Sequence, residues 1–323
     1  MSSELIRVGL LGAARIAPGA LIGPSSSRTD VRVVAVAARS FDRAVDFGKE
    51  YGIEAEPGGY QGLIDRNDLD LIYVALPPHL HCKWTLAALE AGKHVLCEKP
   101  FALNAREAQL MIEKSAQTGQ HLIEGFHYRF HDLMEQALSL TQSGLLGKIT
   151  RASAGVAYPI PMRPGEPRWS ADFGGGAMMD LGCYGIHALR TLMGCEPTVL
   201  TAATRIVAGV DAETLATLEF ASVPASVRAA MDPQQPITSI TIEGQQGTLM
   251  IDGFVLPHRA GRIRLKTPLG IEEYPVSGVP SYSAQLAHVV EVLRGEAKPL
   301  TGGIDALANM QVIDAIKELA RAF

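Results

Sequence analysis

The first half of the chain alternates short apolar runs with stretches in which apolar residues recur at helical spacing. Short runs of this kind predict buried strands, and the stretches between them predict helices. Strands that alternate with helices are typical of βαβ units. We therefore predict a doubly wound parallel sheet over residues 1–125. Its predicted strands are Ile6–Leu11, Val31–Ala38, Leu69–Leu76, His94–Cys97 and His121–Glu124, and its predicted helices are Phe41–Tyr51, Leu80–Ala91 and Ala105–Thr118.

Beyond Tyr128 the pattern changes, because runs that alternate apolar and polar residues now follow one another with little helix between them. Half-buried strands in series favour an antiparallel sheet. We predict a second, α+β domain over residues 126–323 with a large, mostly antiparallel open sheet. Its predicted strands are Ile149–Tyr158, Thr198–Val207, Thr214–Phe220, Ser226–Met231, Ile237–Glu243, Thr248–Ile251, Arg262–Lys266 and Glu272–Val276, and its predicted helices are Ala177–Met193, Tyr282–Leu293 and Ile304–Ala320.

Composition narrows the function classes. A length of 323 residues favours two domains, and 47% apolar residues with a net charge of -5 argue against disorder and against nucleic acid as a partner. With no apolar run of membrane-spanning length and no basic leader at Met1, we expect a cytoplasmic protein without membrane association. The four cysteines are too scattered for a disulfide framework. No metal site is expected, because His79, His81 and Cys82 lack a second pair at ligand spacing.

The segment Gly12–Ala17 follows the first predicted strand and matches the dinucleotide fingerprint G-x-G-x-x-A, except that Ala14 replaces the second glycine. Gly12 permits a tight turn, and Ala14 leaves somewhat less room for a pyrophosphate at the start of the following helix. Arg15 and Ile16 complete the predicted turn. An ordinary strand-to-helix turn is the alternative interpretation.

The end of the second predicted strand indicates which dinucleotide binds. An acidic residue there would bond the ribose hydroxyls of NAD, but the strand ends in Arg39 and Ser40, with Arg43 one turn later. Cations and a hydroxyl suit a 2′-phosphate. We therefore predict NADP over NAD. The alternative makes Arg39 a solvated surface residue and Ser40 a helix N-cap.

Lys99 lies in Glu98-Lys99-Pro100, directly after an apolar strand, where parallel sheets bind their ligands. Asp180, Tyr184 and His187 follow a glycine run at i, i+4 and i+7 of a predicted helix, on one face. A nearby Lys99 ammonium would lower the pKa of Tyr184, and Asp180 would orient the lysine. Alternatively Lys99 is itself the base. For His187 we favour a role in the core, because buried histidines usually find partners there.

Together these residues resemble the Gfo/Idh/MocA oxidoreductase family, through Ile6–Ala17, Cys97–Phe101, Glu124–His131 and Gly174–Tyr184. The resemblance implies an N-terminal Rossmann domain that binds NADP, over residues 1–125. It also implies a C-terminal domain, over residues 126–323, that binds substrate and forms a homodimer or homotetramer through its open sheet.

The resemblance assigns Lys99 as the catalytic lysine, and Asp180 as the acid four positions before the proton-transfer residue, Tyr184. A tyrosine there resembles the branch with glucose-fructose oxidoreductase, xylose 1-dehydrogenase and trans-dihydrodiol dehydrogenase, generally users of NADP. Further residues implied at the cofactor are Leu76, Pro77, His81, Glu98, Arg168 and Trp169. Residues implied at the substrate are Tyr158, His127 and His187; both histidines depart from that branch's usual residues.

The expected function is NADP-dependent hydride transfer between the nicotinamide and a ring carbon of an aldose or cyclic polyol, with Lys99 and Tyr184 handling the proton. One alternative is oxidation of a trans-dihydrodiol, which an aromatic pocket around Tyr158, Met162 and Trp169 would favour. The other is a non-catalytic NADP-sensing regulator, which would have little use for Lys99, Asp180 and Tyr184 together.

Overall fold

A computed structural model of the protein describes residues 5–322. These residues divide into two compact units. The first contains the chain up to His127 together with Tyr282–Leu307, and the second contains Tyr128–Ser281 together with the chain from Ala308 onward. The sequence predicts a single domain boundary at residue 125, so it does not predict that Tyr282–Leu307 belongs to the first unit.

The helices were predicted in part. Phe41–Tyr51 and Ala105–Thr118 have the predicted bounds, whereas the helices Gly59–Asp65 and Asp132–Gln142 were missed. In chain order the helices are α1 (Gly23–Ser26), α2 (Phe41–Tyr51), α3 (Gly59–Asp65), α4 (His81–Glu90), α5 (Ala105–Thr118), α6 (Asp132–Gln142), α7 (Cys183–Met193), α8 (Pro257–Ala260), α9 (Ser281–Leu293) and α10 (Gly303–Leu319).

The first unit contains a six-stranded sheet, and all the strand pairs in it are parallel. The strands are β1 (Ile6–Leu11), β2 (Val31–Ala37), β3 (Glu54–Ala55), β4 (Leu71–Val74), β5 (His94–Cys97) and β6 (Leu122–Glu124). Their spatial order is β3-β2-β1-β4-β5-β6, so the order reverses beside β1, as in doubly wound folds. This confirms the predicted sheet.

The core of the first unit joins early and late parts of the chain. Val8 and Leu10 of β1 belong to the same buried cluster as Leu286 and Val289 of α9. Every residue of β4 is buried, as expected of a strand covered on both faces. Helix α9 therefore supplies part of the cover of the parallel sheet.

The second unit contains a nine-stranded sheet. Its strands are β7 (Ile149–Ala157), β8 (Thr198–Val207), β9 (Val210–Phe220), β10 (Val223–Ala230), β11 (Ile237–Gly244), β12 (Thr248–Asp252), β13 (Arg262–Thr267), β14 (Gly270–Tyr274) and β15 (Ala320–Ala322). Their spatial order is β14-β13-β12-β11-β7-β10-β9-β8-β15. The pairs are antiparallel except β7 with β10 and β8 with β15, which confirms the predicted mostly antiparallel sheet.

One face of this sheet packs against α7. At Gly185 of α7 an added Cβ would lie 3.2 Å from Val227 and 3.3 Å from Ala154, so the helix approaches β7 and β10 closely. The other face is open, and Leu215 of β9 is 48% exposed there. Assembly of copies through this sheet stays a prediction. None of the helices in residues 5–322 is long and apolar enough to cross a membrane.

The predicted helix Ala177–Met193 differs in its first turn. Residues Met178–Gly182 form a π-helix, and the α-helix α7 begins only at Cys183. Asp180 and Tyr184 would share one face of a regular α-helix, but Asp180 lies in the π-helical turn and Tyr184 in the α-helix after it, so the α-helical spacing does not apply to this pair. Single π-helical turns occur frequently at functional sites.

Candidate active site

The turn after β1 is closely packed against the end of β4. Gly12 has a φ of +107°, and a Cβ added there would lie 2.5 Å from the carbonyl oxygen of Ala75. The N–H of Gly12 donates to the Ala37 carbonyl at 2.8 Å. The following helix begins as a π-helix over Pro18–Ile22. Ala14 is therefore part of the turn, as are the exposed Arg15 and Ile16.

Arg43, predicted at the 2′-phosphate, contacts this turn, and Ser40 begins the helix that contains Arg43. Arg43 donates from Nη2 to the carbonyl oxygen of Ala13 at 3.3 Å. Ser40 occupies the N-cap position of α2, but its side chain makes no capping hydrogen bond. Its hydroxyl is thus not used in the way that the N-cap alternative requires.

Tyr60 of α3 is a neighbour of these cations that the sequence did not indicate. Burial raises the pKa of the Tyr60 phenol, and the charges of Arg39 and Arg43 oppose that rise. The charges of both guanidinium groups therefore act on the phenol. The missed helix α3 explains why no signal pointed to Tyr60.

His81 holds together two segments predicted at the cofactor. It is fully buried, and its Nδ1 lies 2.9 Å from the Pro100 carbonyl oxygen while its Nε2 lies 2.7 Å from that of Leu76. Burial lowers the pKa of the imidazole. Both ring nitrogens face the chain itself, so His81 positions the loop that contains Pro77 rather than reaching a ligand.

Glu98 and Lys99 follow β5 at the carboxyl edge of the parallel sheet. The Glu98 carboxylate is buried and accepts a short hydrogen bond from the hydroxyl of Tyr73. Lys99 is half-buried, and the Lys99-Pro100 peptide bond is cis. Pro100, whose carbonyl lies 2.9 Å from His81 Nδ1, directly follows Lys99. The structure thus brings Lys99, His81 and the Leu76 loop together.

His127, predicted at the substrate, is buried beyond β6. Its ring stacks on Tyr282 with the ring centroids 3.8 Å apart. Stacking covers one face of the imidazole and fixes its orientation. His127 is therefore a rigid group of the first unit.

In the second unit, the glycine run before α7 packs against Asp211. A Cβ on Gly176, whose φ is +113°, would lie 1.9 Å from Asp211 Oδ1. Asp211 Oδ2 accepts hydrogen bonds from the Met178 N–H at 2.7 Å and the Thr214 hydroxyl at 2.9 Å. The carboxylate therefore fixes the first turn of the helix that contains Asp180. No local pattern in the sequence connects Asp211 with that helix.

Arg168 and Asp180, predicted separately, form an ion pair. Arg168 Nη1 lies 3.9 Å from Asp180 Oδ2, and the same guanidinium binds the Glu166 carboxylate at 2.7 and 3.0 Å. These partners raise the pKa of Arg168, Glu166 most strongly. Trp169 is buried, and its indole N–H donates to the Ile160 carbonyl at 2.9 Å. Arg168 and Trp169 are both held firmly by the second unit.

Tyr184 lies within an aromatic cluster. Its ring centroid is 5.7 Å from that of Tyr128, whose hydroxyl forms a short hydrogen bond with His187 Nδ1. Tyr128 and His187 are buried. His187 thus has a partner within the second unit, as expected of a core histidine.

Tyr158, predicted at the substrate, follows β7 and is half-buried. Its backbone N–H donates to the Ala230 carbonyl at 3.0 Å.

Asp211 gives the second unit a pH dependence. Burial raises the pKa of its carboxyl from the ordinary value of 3.8. A raised carboxyl pKa stabilises the fold at low pH, and that contribution is lost as the pH rises through the folded-state pKa. Compared with Asp211→Asn, which does not titrate, the wild type should lose free energy of unfolding as the pH rises above the ordinary carboxyl pKa of 3.8.

Denaturant unfolding at a series of pH values measures this difference. Thr214→Val is the control, because it removes one hydrogen bond to Asp211 while keeping the carboxyl that titrates. The free energy of unfolding of the Thr214→Val variant should change with pH as that of the wild type does, but should be lower at each pH. A wild type that gains stability relative to D211N as the pH rises would contradict the assignment.

Within residues 5–322, no three His, Cys, Asp or Glu side chains are placed to hold a metal ion. The four cysteines are free thiols. What the arrangement offers is a lysine at a sheet edge in one unit and an acid and a tyrosine on one helix in the other.

Two family models match the chain. The model described as "Oxidoreductase family, NAD-binding Rossmann fold" matches residues 6–126, and the model described as "GFO/IDH/MocA C-terminal domain" matches residues 134–250. The first covers the six-stranded sheet, and the second covers most of the nine-stranded sheet.

Individual proteins agree with these models. The uncharacterized oxidoreductase ORF334 of Rhizobium meliloti is 36% identical, over 67% of this chain and 65% of that protein. D-xylose 1-dehydrogenase (NADP(+)) 2 of Haloferax volcanii is 30% identical, over 97% of this chain and 96% of that protein. The structure of KijD10, a 3-ketoreductase from Actinomadura kijaniata in complex with NADP and TDP-benzene, superposes with a TM-score of 0.92 at 27% identity, over 99% of each chain.

Proposed function

The chain belongs to the Gfo/Idh/MocA oxidoreductase family, and from this membership we propose that it is an NADP-dependent enzyme that transfers hydride between the nicotinamide and a ring carbon of a sugar or cyclic polyol. In the direction of oxidation, a CH–OH group loses a hydride to NADP and a proton to the protein, which leaves a carbonyl. Reduction is the reverse.

The observation that carries this proposal is the set of groups at one edge of the parallel sheet. The Gly12 turn, the Arg39–Ser40–Arg43 segment and Lys99 all follow the carboxyl ends of strands in the same unit. Ligands of open parallel sheets bind at this edge, where the strand order reverses. The turn there suits the pyrophosphate of a dinucleotide, and the cationic segment suits its 2′-phosphate. Lys99 suits the end of the same dinucleotide where the reaction takes place.

The residues fit NADP. A Cβ on Gly12 would collide with the Ala75 carbonyl, so only glycine permits the tight turn that comes before Ala14 and Arg15. Ser40 has a hydroxyl that makes no capping bond, and exposed Arg39 and Arg43 supply the charge that a 2′-phosphate needs. NADP, when bound, supplies the hydride acceptor.

Lys99, Asp180 and Tyr184 handle the proton in this proposal. Proton transfer by a positioned side chain is most effective when its pKa is near the working pH, and an ordinary tyrosine at about 10 is too weakly acidic. A lysine ammonium would favour the tyrosinate, and an aspartate would keep that lysine charged. The ion pair with Arg168 restrains the Asp180 carboxylate.

The substrate class is tested with a panel. The relatives include a dehydrogenase named for a free sugar and a ketoreductase crystallised with a TDP ligand, so we propose a sugar substrate, free or nucleotide-linked. Free aldoses, inositols and aromatic dihydrodiols are offered with NADP, and 3-keto sugar nucleotides with NADPH, while the reduced nicotinamide absorbance is followed. Turnover of dihydrodiols alone would replace the sugar assignment, and binding of NADP without any turnover would favour a regulator.

Cofactor preference depends on the cations after β2. Replacing Arg39 and Arg43 together with alanine should lower the ratio of kcat/KM for NADP to that for NAD by roughly a hundredfold, since hydrogen bonds to charged groups contribute about 1.5–3 kcal/mol each. Initial rates with each cofactor give the ratio. Arg32→Ala is the control, because Arg32 is exposed near the start of the same strand. A wild type that prefers NAD would overturn the assignment.

A further inference from the structure

Helix α9 runs from the carboxyl edge of the parallel sheet to its amino edge. Near its start, Tyr282 stacks on His127, which comes shortly after the carboxyl end of β6. Just past its end, Arg294 Nη2 lies 3.0 Å from an Asp30 carboxylate oxygen, and Asp30 directly precedes β2. The first turn of α9 therefore lies at the same edge as the Gly12 turn and Lys99.

Gln285, one turn after Tyr282, has a buried amide oxygen with no hydrogen-bond partner in the described part of the protein. The residue is only 1% exposed, and the next residue, Leu286, belongs to the hydrophobic core. An unsatisfied buried carbonyl is destabilising, and native proteins keep few of them. An acceptor retained at a ligand-binding edge is explained if the ligand brings the donor.

We propose that the Gln285 amide oxygen accepts a hydrogen bond from the nicotinamide-riboside half of the bound dinucleotide. The inference rests on the proposed function, because the dinucleotide supplies the donor. Phosphate oxygens only accept, so the donor must be a ribose hydroxyl or an amide or amine N–H. The adenine half is assigned to Arg39, Ser40 and Arg43, which leaves the ribose hydroxyls and the carboxamide of the nicotinamide half.

The test separates this role from a structural one. Gln285→Met keeps the length of the side chain and removes the acceptor. The variant should bind NADP about tenfold more weakly by titration calorimetry, the expected loss for one hydrogen bond. Its affinity for adenosine 2′,5′-bisphosphate, which lacks the nicotinamide half, should not change. Without ligand, its melting temperature should rise, because an unsatisfied carbonyl has been removed from the core.

Lys93→Met is the matched control. Lys93 is buried in the same unit, its Nζ donates to the Leu69 carbonyl at 2.9 Å, and it lies before β5 at the opposite edge of the sheet. This variant should melt at a lower temperature and bind both ligands as the wild type does. Gln285→Leu repeats the test if the methionine variant fails to fold.

The outcomes are distinct. If Q285M binds NADP as tightly as the wild type, or loses affinity for both ligands equally, the inference is overturned while the proposed function stands. A lower melting temperature with unchanged NADP affinity would show that an internal water satisfies the amide, which also overturns it. If the wild type binds neither ligand, the proposed function itself fails and the inference fails with it.

Discussion

Replacing Lys99 with methionine is expected to lower kcat about a thousandfold while changing the dissociation constant of NADP by less than about tenfold. Methionine keeps the unbranched stem of the side chain and removes the ammonium. In the proposed mechanism that ammonium acts on the proton and not on the dinucleotide. The loss should therefore fall on kcat, which records interactions made in the transition state.

Steady-state rates with the best substrate of the panel, together with NADP titration, measure both quantities. Lys93→Met controls for loss of a partly or fully buried ammonium in the same unit, and it should keep kcat near that of the wild type. Turnover within tenfold of wild type in K99M would remove Lys99 from the proton transfer. A matching loss of NADP affinity would make it a binding residue instead.

Replacing Gly176 with alanine is expected to lower the melting temperature of the second unit by about 4–20 °C and to reduce kcat. The new Cβ would lie 1.9 Å from Asp211 Oδ1, so the carboxylate must move away from the Met178 N–H. Loss of that bond costs about 1–3 kcal/mol, and alanine at a positive φ adds roughly 1–2 kcal/mol. Each kcal/mol lowers the melting temperature of a unit this size by roughly 2–4 °C.

Thermal unfolding followed by circular dichroism measures the stability, and steady-state kinetics measures kcat. Gly194→Ala is the control at the other end of α7, where φ is +66° and nothing lies within 4 Å of an added Cβ. The Gly194→Ala variant should lose only the stability that alanine costs at a positive φ, and its kcat should be unchanged. Equal effects of the two substitutions would mean that the contact with Asp211 does not hold the helix.

The parallel sheet could be predicted because local pattern and tertiary role agree there. Strands such as Ile6–Leu11 are continuous apolar runs, and helices such as Ala105–Thr118 begin at a capping Asn104 and end at Gly119. Helix α6 has no such signal. Its N-cap is His131, whose Nδ1 accepts from the Leu133 N–H, and histidine is not a usual capping residue.

The candidate site was predictable only where one motif holds the chemistry. Lys99 and the Gly12 turn could be found because each follows a strand directly. Asp211 could not be found, because the residues that it contacts, Gly176 and Met178, are distant in sequence. Gln285 could not be found either, because its proposed partner is a ligand. The π-helical turn at Met178–Gly182 was also hidden, since tertiary contacts and not a local sequence pattern decide its hydrogen bonding.

Helix α9 has a consequence for synthesis on the ribosome. Chains emerge from their N-termini, so all six strands of the parallel sheet are made long before Tyr282–Leu307. Until then Val8 and Leu10 lack Leu286 and Val289, the partners with which they form one core. The nascent first unit must therefore wait, with apolar surface exposed, for more than 150 further residues to be added. Completion of the first unit therefore follows the synthesis of Tyr128–Ser281, the larger part of the second unit.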